Sequence, residues 1–114
     1  MMIVTCLVSV FSAQVPQNAL DAYASVLKAR VSKGRIDYQA LAKKDLGKLD
    51  LYIKSVGTAK LPAGKRARIG FYVDAYNAFV MKSVIASRFP KSVLKVEGFF
   101  DNRKFELAGQ TVSL

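Results

Sequence analysis

At 114 residues, 52% of them hydrophobic, and with a formal net charge of +10, the chain has the composition of one globular domain or part of one, not of a disordered segment. It contains no histidine and one cysteine, Cys6, which excludes an intrachain disulfide, a zinc site of the usual ligands and a cysteine–histidine nucleophilic pair made from these residues alone. The positive balance favours anionic partners through long-range attraction, whether nucleic acid, anionic lipid or acidic polysaccharide.

The chain opens on Met1–Ala13, MMIVTCLVSVFSA, an uncharged apolar run with the length of a signal-peptide core and too short to span a bilayer as one helix. Residues 1–13 are therefore expected to be an export signal, with an uncleaved N-terminal anchor and a core segment as the alternatives. Ile3-Val4-Thr5-Cys6 is not a lipoprotein box, because threonine precedes the cysteine. Export to a bacterial-type periplasmic or extracellular location follows from this expectation. Residues 14–114 are then the mature portion.

Asn18 is the expected N-cap of a first helix, with Leu20, Tyr23, Leu27 and Val31 at helical spacing and Gly34 as its stop. Arg35–Tyr38 is a short extended link or the first turn of the next element, and Tyr38–Lys44 a brief helix. Asp45 is placed to cap another helix, in which Leu46, Leu49, Ile53 and Val56 form one apolar face ahead of Gly57. Thr58–Gly64, with Pro62 and Gly64, is a loop. The next helix begins near Lys65, with Gly70 as a break or a close-packing point. It ends at Phe89, because Pro90 cannot continue the ladder. Its stretch Phe71–Pro90, FYVDAYNAFVMKSVIASRFP, is apolar almost all the way round and is expected to be buried on several sides. Ser92–Asn102 looks irregular. Lys104–Leu107 and Thr111–Leu114 alternate like the arms of a β-hairpin across Ala108-Gly109-Gln110. The fold expected is α+β: mostly helical, with a central buried helix and a C-terminal β-hairpin. A helix apolar on nearly every side needs more covering layers than these elements supply, and a lone hairpin is marginal in water, so the chain is expected to be part of a larger domain.

Asp74 and Asn77 lie one helical turn apart, so their side chains can address the same neighbour. They form a candidate polar ledge lining a cleft, together with Tyr76. The competing reading is structural: Asn77 bonding a loop backbone, Asp74 pairing with Arg88 or Lys65, and Tyr76 packed with its hydroxyl satisfied. Gly98, Phe99, Phe100 and Asp101 form a candidate motif loop, whose aromatics are expected to fill the space between hairpin and helix. Glu97 and Asp101 flank those aromatics, but two carboxylates on one loop do not make a glycosidase site. Lys43, Lys44, Lys48 and Lys54 fit a solvated helical surface. Lys65-Arg66-Ala67-Arg68 lacks the glycine–aromatic pattern of a nucleic-acid module, so nucleic acid is not the expected partner. No metal site and no cofactor is expected.

Phe71-Tyr72-Val73-Asp74-Ala75-Tyr76-Asn77-Ala78 resembles the F-W-I-N-A-Y-N-A motif of a bacterial and plant family, domain of unknown function 547. Arg88-Phe89-Pro90 resembles that family's x-Y-P helix end, Ile36-Asp37-Tyr38 its V-D-Y signature, and Gly98-Phe99-Phe100-Asp101 with Lys104-Phe105 and Ala108-Gly109 its GFFD…F…AG hairpin. The resemblance covers about Val31 to Leu114. Tyr72 stands where tryptophan is usual and Asp74 where asparagine is usual. Family members continue into a His-Phe-Ala-Leu segment and a Cys-Pro-Pro, neither of which is in this chain. The resemblance implies the N-terminal part of a papain-like or transglutaminase-like domain, a thiol-hydrolase-like unit whose cysteine and histidine lie elsewhere, and hence no turnover by this chain alone. The alternative is a non-catalytic binding or scaffolding module for an anionic envelope partner.

Overall fold

The computed structural model describes residues 15–114, so the expected export signal lies outside the described residues. Helix α1 runs over Gln17–Arg30. It starts one residue before Asn18, behind Pro16, whose fixed φ suits a helix entrance and which leaves the cap without a side-chain bond. Ala19, Tyr23 and Val26 form its buried stripe, whereas Leu20 and Val31 of the expected apolar face are exposed.

The chain then makes a hairpin that the sequence reading treats as a stop and a link. Strand β1 (Val31–Ser32) pairs antiparallel with β2 (Arg35–Ile36), Val31 opposite Ile36 and Ser32 opposite Arg35. Lys33 and Gly34 both have positive φ, 53° and 74°, which is the two-residue turn whose twist matches that of paired strands. Gly34 therefore turns a hairpin, and α1 ends at Arg30.

Asp37 caps the next helix, α2 (Tyr38–Ala40), its carboxylate accepting the Ala40 N–H at 3.1 Å. A widened turn of π type over Leu41–Asp45 leads directly into α3 (Leu46–Thr58). Asp45 does not cap α3. Its carboxylate is drawn inward to the Arg30 guanidinium, with Nε to Oδ2 at 2.5 Å and Lys48 Nζ at 4.0 Å, because a buried charge needs an opposite partner more than a helix end needs a cap. Leu49, Tyr52 and Val56 are buried, with Leu46 and Ile53 half-buried beside them. This face packs along α1, and the Tyr23 and Tyr52 rings stack at 4.2 Å between centroids, 8° from parallel.

Helix α4 covers Lys65–Ala86 as one uninterrupted element of 22 residues. The Arg68 guanidinium donates to the Pro62 carbonyl at 2.7 Å and ties down the preceding loop. Gly70 neither breaks the helix nor marks close packing: a Cβ there would meet nothing within 4 Å. The helix stops three residues before the expected Phe89. Arg88 and Phe89 both take left-handed φ, 61° and 57°, which ends the right-handed helix ahead of Pro90, whose ring could not continue it.

The expectation that α4 is buried on several sides holds along its second half, where every residue from Ala78 to Ile85 is buried or half-buried, and is corrected along its first half. Ala75, Ala78, Phe79, Met81, Ser83 and Val84 are buried, but Ile69 (54%), Val73 (51%), Tyr76 (45%) and Tyr72 (44%) face outward. These four follow the i, i+3, i+4, i+7 spacing of one helix face. Along this first half of the helix the described elements leave the stripe uncovered. Tyr76 is thus not a packed aromatic.

After a single 3₁₀ turn at Val93–Lys95, the Gly98–Asn102 segment closes with the Asn102 N–H bonded to the Gly98 carbonyl at 2.8 Å. Gly98 has φ +71°, which favours glycine, and a Cβ there would displace the Asn102 amide that lies over it. Phe99 is buried and meets Phe100 edge to face at 5.1 Å.

Strands β3 (Phe105–Leu107) and β4 (Gln110–Val112) pair antiparallel, Phe105 opposite Val112 and Leu107 opposite Gln110. The turn is Ala108-Gly109, again with both φ positive, and Gln110 belongs to the strand. The hairpin packs on the end of α3. The Ala108 N–H donates to the Val56 carbonyl and the Gly109 N–H to the Gly57 carbonyl, each at 2.8 Å, satisfying carbonyls that the last turn of a helix leaves free. Phe105 stacks on Phe79 at 4.4 Å, 7° from parallel, joining the hairpin to α4. The architecture is α+β, with two small antiparallel hairpins on a helical body. Among the described residues, no helix is long and apolar enough to cross a membrane.

Candidate functional site

Asp74 and Asn77 open onto a cleft of about 320 Å³ between α4, α1 and the first hairpin. Their one-turn spacing puts both on one face of α4, followed by Val80 and Met81. Helix α1 supplies Tyr23 and Leu27. The hairpin supplies Val31, Gly34 and Ile36, and Tyr38 projects from the first turn of α2. The lining is thus an apolar trough with a carboxylate, an amide and two phenols along it. Neither structural role expected for the ledge is realised. Asp74 makes no ion pair with Arg88, Lys65 or any other cation among the described residues, and Asn77 donates to no loop carbonyl.

The phenols are held protonated. Burial pushes the Tyr23 hydroxyl up to about 12, reinforced by the negative charge of Asp74. Tyr52, stacked behind it, is raised further by burial, then by Asp74 and Tyr23. Burial also raises Tyr38. The Tyr23 hydroxyl donates to the backbone carbonyl of Asp74 at 3.4 Å, linking the stacked pair to the ledge. Asp74 also borders a second cavity of about 270 Å³, lined by Val15, Tyr52, Lys60 and Phe71 among others.

This arrangement can bind and orient, but the cleft lining contains no serine, threonine, cysteine or lysine to act as nucleophile. Its phenols are displaced away from the range in which a proton would be exchanged near neutral pH. Among the described residues no group of histidine, cysteine, aspartate and glutamate side chains is arranged to hold a metal ion.

Of the residues singled out from sequence, the structure brings Asp74 and Asn77 together with Ile36 and Tyr38. Tyr76 lies on the uncovered stripe of α4 instead. Gly98, Phe99, Phe100 and Asp101 are outside the cleft lining, in the turn before the second hairpin. Asp37 points away into its capping bond. Tyr23 and Leu27 were not anticipated as site residues. Their helical spacing was visible, but only as a packing stripe. No protein-family model, no curated protein and no solved structure matches this chain.

Proposed function

We propose that this chain is the ligand-holding part of a domain of unknown function 547, binding in its cleft and performing no chemistry with its own side chains. One observation carries the proposal: Ile36 and Tyr38 of one resemblance segment and Asp74 and Asn77 of another, far apart in sequence, line the same cleft. The ligand class that fits has an apolar body, to lie against Leu27, Val31, Ile36, Val80 and Met81, and a hydrogen-bond-donating head for the Asp74 carboxylate and the Asn77 amide oxygen. A thiol–imidazole pair cannot come from this chain, which has no histidine and only Cys6. Under the thiol-hydrolase-like, papain-like or transglutaminase-like reading, other polypeptide supplies both groups, and the exposed stripe Ile69, Tyr72, Val73 and Tyr76 supports a covering segment. Export to a bacterial envelope belongs to the same proposal and rests on the apolar run 1–13.

The test is titration of the full chain with phenethylamine, 2-phenylethanol and 3-phenylpropionate, followed by amide chemical shifts. Saturable shifts at Tyr38, Asp74 and Asn77 are expected with the amine and the alcohol and not with the carboxylate. Asp74→Ala, at an exposed position, should weaken the amine by about tenfold, the worth of one charge-assisted hydrogen bond. Equal response to all three probes, or indifference to Asp74→Ala, would overturn the cleft assignment. A second reading, a scaffold for an anionic envelope component, is supported by the exposure of Lys65, Arg66 and Arg68 together at one end of α4.

A further inference from the structure

On the other half of α4, and sharing no lining residue with the cleft, a cavity of about 390 Å³ lies between Lys82, Ser83 and Ala86 of the helix and Asn102–Phe105 of the chain entering the second hairpin. Three of its lining side chains are cationic, Lys82, Arg103 and Lys104, and none is acidic. Lys82 is neutralised from outside the cavity by Asp50, with Nζ to Oδ1 at 2.7 Å. Arg103 is held in place by one bond, its Nη2 donating to the Ser87 hydroxyl at 2.8 Å, which leaves the rest of its fork free. Among the described residues, Lys104 and Arg103 make no ion pair. The cavity therefore carries about two uncompensated positive charges.

The second observation is independent of charge. Ser83 lines the same cavity, is fully buried, and its Oγ has no hydrogen-bond partner among the described residues. A serine in mid-helix ordinarily bonds back to a carbonyl of the preceding turn or reaches water. A buried hydroxyl that does neither is costly and marks a place where a polar group is wanted.

We propose that this cavity binds the phosphate group of a small phosphate monoester. A guanidinium fork, an ammonium, the Asn102 amide and the Ser83 hydroxyl together offer more donors than the two oxygens of a carboxylate can accept, and they suit the three terminal oxygens of a phosphate. The cavity exceeds the size of the anion, and Ala86 and Phe105 supply apolar wall for the organic part of the ester. Gly98 contributes by letting Asn102 close over it in the turn that sets the position of Arg103. The net charge of +10 steers anions toward the surface, and this is the one place among the described cavities where basic side chains and an unsatisfied hydroxyl coincide.

The experiment is titration of the full chain with phenyl phosphate, with phenyl sulfate and benzoate as comparisons, followed by amide shifts at fixed ionic strength. Saturable shifts confined to Ser83, Ser87 and Asn102–Lys104 are expected with phenyl phosphate. Phenyl sulfate, with less charge, should bind several-fold more weakly, and benzoate more weakly still. Lys104→Gln changes an exposed side chain and leaves the fold alone, and should weaken phenyl phosphate by about tenfold. Ser83→Ala should weaken it a few-fold while leaving or raising stability, since it removes an unsatisfied hydroxyl. Shifts that climb linearly and spread over the surface lysines, equal binding of benzoate, or retained affinity in Lys104→Gln would each overturn the proposal. None of these outcomes bears on the Asp74 cleft, which is read by different amides.

Discussion

Replacing Gly57 by alanine sets helix propensity against steric contact, and the structure decides between them. A Cβ at Gly57 would lie 3.0 Å from the Glu106 Cβ and 3.4 Å from the Glu106 carbonyl oxygen. Non-bonded carbons rest at roughly 3.5–4.0 Å, so the hairpin must give way by a few tenths of an ångström. It is held there by the Ala108-to-Val56 and Gly109-to-Gly57 backbone bonds, both 2.8 Å. That shift stretches each toward about 3.1–3.2 Å, the long end of good geometry, so part of the roughly 0.5–1.5 kcal/mol each contributes is lost, about 1 kcal/mol for the two. Against it, removing glycine from a helix gains at most about 1 kcal/mol, and less in a last turn that already frays. Gly57→Ala should therefore forgo the gain that replacing a helical glycine ordinarily brings, and leave stability unchanged or lower by up to about 0.5 kcal/mol. Gly70→Ala, inside α4 with nothing within 4 Å of the new methyl, should raise it by about 0.5–1 kcal/mol. Urea midpoints for both variants and hydrogen exchange at the Ala108 and Gly109 amides make the measurement. If Gly57→Ala raises the midpoint as Gly70→Ala does, with both amides still protected, the hairpin does not sit on α3 in this way.

Arg30→Met leaves the buried Asp45 carboxylate with only Lys48 at 4.0 Å, and should cost about 2–3 kcal/mol by urea melting. Lys48→Met, which leaves the close Arg30 pair intact, should stay within about 0.5 kcal/mol, and equal effects for the two would refute the inward pairing of Asp45. Tyr23 predicts an alkaline limit. Its folded-state value is raised from the ordinary 10.0 to about 12, so its stabilisation is complete below about pH 10 and drains away as pH rises through about 12, amounting to roughly 2 kcal/mol. Burial raises Tyr52 as well, so tyrosinate absorbance should lag behind that of the unfolded chain until the helical signal collapses with it. Full ionisation of all five tyrosines near the ordinary value in a chain that still shows its native circular dichroism would contradict the stacked pair.

Local chemistry was legible where it was strong and near in sequence. Pro62 and Gly64 fix the start of α4 at Lys65, and the Leu46–Leu49–Ile53–Val56 stripe identifies the buried side of α3. The second hairpin shows in its alternation, although the turn is one residue tighter than expected. The first hairpin was not legible, because its strands are two residues each and Lys33-Gly34 lacks the asparagine or aspartate that usually announces such a turn. Asp45 misled for a different reason. Capping is a local rule, and an arginine 15 residues away in sequence overrode it. At the site, the one-turn spacing of Asp74 and Asn77 gave the ledge. Tyr23, Ile36 and Tyr38 come to it only through tertiary packing, which no spacing along one helix reveals.

The first half of α4, which lacks the burial on several sides that its second half shows, bears on the site. Hydrophobicity around α4 states what the helix can bury, not how many layers stand ready to bury it. The uncovered stripe contains Val73 and Tyr76, each the immediate sequence neighbour of a ledge residue, Asp74 and Asn77. Successive residues on a helix are about 100° apart, so stripe and ledge are adjoining strips of one surface. Any polypeptide laid along Ile69, Tyr72, Val73 and Tyr76 would bury the apolar side chains and also raise a wall along the open edge of the cleft. A ligand held at Asp74 would then be desolvated by the same contact that covers the stripe, and its hydrogen bonds would strengthen as water leaves. One contact along α4 would therefore cover the apolar stripe and close the cleft beside Asp74 at the same time.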